Sequence, residues 1–152
     1  MLLETLSAEN FRNLAGEIAF SAGLNVLVGE NGQGKTNWLE AIEVLASASS
    51  FRTARLGETI RFGETQAFLS GKVRESDEIT RVLRVAIAQN SKTLLVNGKK
   101  EVLQRYLTNL HAVVFNSDEL EIVRGQPEAR RRFLEITAML ASGFAATTEG
   151  RR

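Results

Sequence analysis

Eight consecutive residues, Gly29-Glu30-Asn31-Gly32-Gln33-Gly34-Lys35-Thr36, satisfy the pattern G-x-x-x-x-G-K-[ST] at every fixed position. The chemistry that needs this pattern is the holding of phosphate. Glycines let the backbone curl around an anion with its N–H groups turned inward, and a helix starting at the end of the loop adds positive potential. A lysine in the place of Lys35 reaches the β- and γ-phosphates, and a hydroxyl in the place of Thr36 ligates Mg2+. The eight residues therefore predict a site for a nucleotide with Mg2+, without separating ATP from GTP or a kinase from a mechanical ATPase. The competing reading is a glycine-rich turn that opens a helix by chance.

The neighbouring segments argue against chance. Leu24-Asn25-Val26-Leu27-Val28 is a mostly apolar run suited to a buried strand. Residues 36–46 have helical spacing, with Trp38, Leu39, Ile42, Leu45 and Ala46 on one face. Strand, glycine-rich loop and helix in that order are the context the motif requires.

Further out, residues 2–6 and 15–20 read as two short strands around the polar loop Glu9-Asn10-Phe11-Arg12-Asn13. From Gln66 to Val96 the apolar period changes to two, through Ala67, Leu69, Val73, Ile79, Leu83, Val85, Ile87, Leu94 and Val96. This predicts an antiparallel meander with turns at residues 75–78 and 89–91, closed by Asn97-Gly98. Residues 100–109 predict a short helix, 111–115 a buried strand and 117–123 a helical turn. Pro127 suits the first position of a helix running to about residue 141, and the tail from 145 to 152 has no periodicity. The expected fold class is α/β, a nucleotide-binding lobe over residues 1–144 with a β-rich subdomain at about 64–98.

Composition narrows the partners. The 152 residues, 43% hydrophobic, suit one globular domain. With no cysteine and one histidine, a disulfide framework, a thiolate metal site and a histidine cluster are all excluded. Nineteen basic against 18 acidic residues leave a net charge of +1, so any DNA contact must come from a local patch. The N-terminus meets acidic and polar residues after two leucines and resembles neither a signal peptide nor a membrane span. The chain reads as soluble, and the lack of cysteine suits a reducing cytoplasm.

Several segments together carry a family resemblance. They are Asn10-Phe11-Arg12-Asn13, the loop continuing into Asn37-Trp38-Leu39-Glu40-Ala41-Ile42, Ser50-Phe51-Arg52-Thr53 and Val96-Asn97-Gly98-Lys99. Val113-Val114-Phe115, the run Asp118 to Gly125 and Arg130-Arg131-Arg132-Phe133-Leu134 complete the set. In this order they resemble the RecF-type ATPases, which belong to the ABC-type ATPases related to SMC heads, and they cover nearly the whole chain. The resemblance implies ATP and Mg2+ as cofactors, dimerisation on ATP, and DNA binding at single-strand/double-strand junctions. It also implies cooperation with RecO and RecR in loading recombinase at gaps, a place in the SOS response, and a weak DNA-stimulated ATPase in the complete protein.

Two departures from that pattern are visible: Trp38 replaces a smaller aliphatic residue, and Asn116-Ser117 replaces Ser-Pro. Acids after Val113-Val114-Phe115 are superficially like a Walker B strand, but two residues intervene, and the resemblance places this stretch at a Q-loop-like joint. Walker B and signature segments are therefore expected beyond Arg152, and no catalytic residue is assigned within the chain.

The resemblance also places Arg12 near the phosphates, against a solvated loop arginine as alternative. Arg52, Arg55 and Arg61 could form a strip for DNA phosphates, diluted by Glu58 and Glu64. Arg130, Arg131 and Arg132 fan around their helix, so at most some of them face DNA or a partner. Asn116 is either a polar joint near Mg2+ or a helix cap with Glu119. Lys99-Lys100 suits a solubilising turn, and His111 carries no assigned chemistry. The competing functions are an ATP-driven DNA switch, another SMC-like head, a small-molecule kinase, and a non-catalytic module that keeps nucleotide only for structure.

Overall fold

A computed structural model of the chain describes residues 1–115 and Arg131. Residues 1–113 form one compact unit and 114–152 another, and all the elements named here lie in the first. The strands are β1 (Leu2–Phe11), β2 (Leu14–Ala19), β3 (Gln66–Arg74), β4 (Thr80–Ala88), β5 (Ser91–Val96) and β6 (Lys99–Lys100). The helices are α1 (Lys35–Ser47) and the single turn α2 (Leu103–Tyr106), with a 3-10 turn at Leu56–Thr59.

Period-two patterning places the meander as expected, with antiparallel pairing of β3 to β4 and β4 to β5. The first two strands join it, giving one six-stranded sheet in the order β2-β1-β3-β4-β5-β6. β1 runs to Phe11, further than the expected end at residue 6, because β3 pairs along its length from Leu2 to Glu9. Alternation then sorts the faces. Ala8, Leu69, Val85 and Leu94 form one buried row across four strands, and Leu6, Gly71 and Leu83 lie in the row beside it.

α1 lies against β1, β3 and β4. The face it buries is Ala41, Val44, Leu45 and Ala46, whereas Leu39 is half exposed and Trp38 and Ile42 are only partly covered. The expected face was therefore turned too far round the helix. Small Ala41 lets the backbone approach the sheet, and Leu45 enters the opening left by Gly71, where a Cβ would stand 2.3 Å from Leu45 Cδ2. Tyr106 fastens the far end, its buried hydroxyl donating to Leu45 O at 2.7 Å, and burial raises the pKa of that phenol.

Two expected strands do not form. Residues 24–28 and 111–115 have no strand neighbour among the described residues, so neither run is hydrogen-bonded into the sheet. Leu24, Val26 and Val28 stay 89%, 69% and 88% exposed, and Val113 and Phe115 are also exposed. An apolar run becomes a buried strand only when neighbouring strands satisfy its backbone, and patterning cannot supply them. The helix expected over 100–109 contracts to α2, four residues long. The expectations for Asn116, residues 117–123, the helix after Pro127 and the tail from 145 lie outside the described residues. So does the boundary at 144; Arg131 alone is described there, helical and exposed.

Candidate nucleotide site

The glycine-rich loop leads directly into α1. Gly32 and Gly34 take φ values of 85° and 92°, in the left-handed region where a side chain is strained. Gly34 is the N-cap of α1, and a Cβ there would meet Asn13 Oδ1 at 2.8 Å and Leu14 Cδ2 at 2.9 Å. Glycine is required at this position twice over, by conformation and by the turn between β1 and β2 pressing against it.

Lys35 Nζ folds back over the loop and donates to Gly29 O and Glu30 O, each at 2.7 Å. Glu30 N donates to the side-chain oxygen of Gln33, closing the near end of the loop. On the helix side is an open cleft of about 330 Å³, lined by Gly32, Gly34, Lys35, Thr36, Asn37 and Arg52. Thr36 is exposed at its edge. Backbone amides at a helix N-terminus, an ammonium group and a hydroxyl around one cleft are the donor set that a polyphosphate with a hard cation requires.

Behind the cleft sits a charge cluster that motif reading missed. Glu40 has no exposed surface. Arg12 grips it with Nε at 3.1 Å and Nη2 at 2.8 Å, Ser50 Oγ donates at 2.7 Å and Arg52 Nη1 at 3.1 Å. Burial pushes the Glu40 carboxyl up, but the hydrogen bonds from Arg12 and Ser50 and the charges of both arginines outweigh it, leaving the pKa below the ordinary carboxylate value. One turn on, Glu43 is shifted the other way. Burial raises it, the backbone N–H of Phe51 opposes, and the nearby charge of Glu40 adds to the rise.

The arginines singled out by sequence take different positions. Arg12 spends Nε and Nη2 on Glu40, and Nη1 on Glu58 O at 3.0 Å. Arg52 lines the cleft, its Nη1 also donating to Asn37 Oδ1 at 2.6 Å. Arg61 donates to Arg12 O at 3.2 Å and Leu14 O at 2.9 Å, so its guanidinium closes the turn between β1 and β2. Arg55 is exposed, and Thr53 Oγ1 accepts from its backbone N–H. Lys99 and Lys100 form the exposed strand β6.

Residues 2–128 match the family described as the RecF/RecN/SMC N terminal domain. The chain belongs to that family. Among relatives, it is 44% identical over 140 residues to the DNA replication and repair protein RecF of Anaeromyxobacter sp. (strain Fw109-5), covering 91% of this chain and 38% of that one. It is 41% identical over 138 residues to RecF of Listeria innocua serovar 6a, covering 90% and 37%. A solved structure of the recombination mediator protein RecF-ATP in the RecFOR pathway matches with a TM-score of 0.79 at 32% identity, over 89% of this chain and 38% of that one. The RecF/RecN/SMC chain thus has the α/β fold of a RecF ABC-type ATPase lobe, and spans well under half the length of the relatives it matches.

Proposed function

We propose that this chain is the ATP-binding lobe of a RecF-type DNA replication and repair ATPase, which holds ATP with Mg2+ in the cleft between the loop of residues 29–36 and Arg52. The observation that carries the reading is the loop itself, with Gly34 packed against Asn13, Lys35 over the loop carbonyls and Thr36 at the cleft edge. The RecF likeness supports ATP over GTP, since the matching structure is described as RecF-ATP.

Each residue then has a task. The amides from Gly32 to Thr36 cradle phosphate oxygens, Lys35 exchanges the carbonyls of Gly29 and Glu30 for the β- and γ-phosphates, and the Thr36 hydroxyl holds Mg2+. Glu40 fixes Arg12 and Arg52 behind the cleft, so that both cations bear on it without long excursions. When bound, ATP with Mg2+ supplies a γ-phosphoryl group whose transfer to water depends on positioning and charge stabilisation. No group of three or more acidic, histidine or cysteine side chains able to hold a metal lies among the described residues. We assign the Walker B and signature groups to the remainder of the complete protein, together with the strands that pair residues 24–28 and 111–115.

In that complete protein, ATP closes two heads into a homodimer on a single-strand/double-strand DNA junction. Slow hydrolysis reopens it, and RecO and RecR take part in recombinase loading in the cytoplasm during the SOS response. Arg52, Arg55 and Arg61 are the proposed DNA contacts, with Arg52 and Arg55 exposed and Arg61 partly buried. Among the described residues no helix is long and apolar enough to cross a membrane.

The test compares Lys35→Arg with the parent protein for ATP binding and for retention on gapped DNA with and without ATP. The switch predicts that DNA retention loses its dependence on ATP in the variant. DNA retention unchanged in the variant, and the same with and without ATP, would contradict the switch and leave a module whose nucleotide is only structural.

A further inference from the structure

The turn joining β1 to β2 is costly to build. Asn10 and Arg12 both sit at left-handed φ, 54° and 52°, which carries a penalty for residues other than glycine. Such a conformation persists only where its surroundings determine it, and here they do so from several directions. Phe11 is wholly buried, Arg12 N donates to Thr59 O at 2.6 Å, and Arg61 N donates to Asn10 O at 2.8 Å. The Arg61 guanidinium holds the carbonyls of Arg12 and Leu14, while Glu40 holds the side chain of Arg12.

This bracing delivers one side chain to the phosphate loop. Asn13 Nδ2 donates to Gly32 O at 3.0 Å, and Asn13 Oδ1 accepts from Asn37 Nδ2 at 2.7 Å. The same oxygen lies where it would meet a Cβ on Gly34 at 2.8 Å. One carboxamide therefore touches the middle of the loop, its last glycine and the first turn of α1. Asn37 is itself held from behind by Arg52 Nη1 at 2.6 Å.

We propose that Asn13 is a positioning residue of the nucleotide site: by holding Gly32 O and bracing Gly34, it fixes the shape of the phosphate loop before any nucleotide arrives. A carbonyl held outward fixes the peptide plane that follows it, and on the other side of that plane the Gln33 N–H donates to Glu30 O at 3.4 Å, so the Gly32–Gln33 peptide is clamped from both sides. The gain is preorganisation, because the loop need not be ordered at the cost of binding affinity. Asn13 itself does not touch the nucleotide; it acts through Gly32 and Gly34. The inference rests on residues 29–36 being the nucleotide site.

The experiment measures Mg-ATP and Mg-ADP affinity of the intact protein, well below its melting temperature, for the parent, Lys35→Ala, Asn13→Ala, Asn37→Ala and the Asn13→Ala/Asn37→Ala double variant. Asn13→Ala is expected to weaken both nucleotides by three- to tenfold, on the order of one lost hydrogen bond. The double variant should be less than additive, because the two amides share one bond. Hydrogen exchange at residues 32–34 should quicken in Asn13→Ala while β3 and β4 stay protected, a signature that general destabilisation does not give. Parent-like affinity in Asn13→Ala, with Lys35→Ala defective, overturns the positioning role and leaves the nucleotide site standing. No saturable binding in the parent removes the nucleotide site and this inference together. Should Asn13→Ala fail to fold, Asn37→Ala decides: unchanged affinity overturns the proposal, and weakened affinity with faster exchange at 32–34 supports it.

Discussion

Glu40 is a carboxylate with no exposed surface, held by two arginines and a serine behind the cleft proposed to bind nucleotide. Its folded pKa lies below the ordinary 4.5, so the stability it contributes is fully present above that pH and is lost as pH falls through the lower folded value. Glu43 has the opposite sign: its raised pKa favours the protonated fold, and its contribution disappears as pH rises through the raised value. Glu40→Gln leaves Arg12 and Arg52 without their anion and is expected to cost about 3 kcal/mol at neutral pH. It should also flatten the loss of stability on acidification, read from denaturant melts between neutral and strongly acid pH. Glu43→Gln should instead raise stability at neutral pH and change little in acid. The loop of residues 29–36, which we propose binds phosphate, was legible in the sequence because its residues are contiguous. The partners of Glu40 were not, since Arg12 and Arg52 stand 28 and 12 residues away and nothing local marks the pairing.

Among the elements, those with a strong period were legible and those fixed by long-range packing were not. Alternation with turn residues placed β3, β4 and β5 and their turns, and helical spacing placed a helix over 36–46, which the structure extends by one residue at each end to Lys35–Ser47. Which side of α1 is buried depends on Gly71 in the facing strand, which sequence spacing does not reveal. Gly71→Ala puts a Cβ 2.3 Å from Leu45 Cδ2 and 2.9 Å from Leu3 Cδ1, and overpacking of this kind should cost about 1–3 kcal/mol in a denaturant melt. Gly34→Ala differs in kind. With φ at 92° and Asn13 Oδ1 at 2.8 Å it is strained whatever moves, and it should weaken nucleotide affinity more than its effect on melting temperature implies. A titration and a thermal melt of the same sample separate the two effects.

On the scale of the whole molecule, one sheet and one helix carry the cleft, while two apolar runs pair with no strand among the described residues. Leu24, Val26 and Val28 precede the loop directly, so the segment that should anchor its start has no strand partner among the described residues. In the 152-residue chain by itself, amide exchange is expected to be fast across residues 24–28 and slow in β1, β3 and β4, a contrast readable by mass spectrometry. Protection of 24–28 equal to that of β3 would contradict this. The same segment explains why the fold class was legible while these two runs were misread: the apolar pattern reports a demand for burial and does not say which strands, if any, meet it. The central claim is that the cleft beside residues 29–36 binds ATP with Mg2+. Calorimetric titration of Mg-ATP into the parent and into Lys35→Ala tests it most directly. Saturable one-to-one binding in the parent that is lost in the variant is the predicted result. Absence of binding in the parent, or equal binding in both, would contradict it.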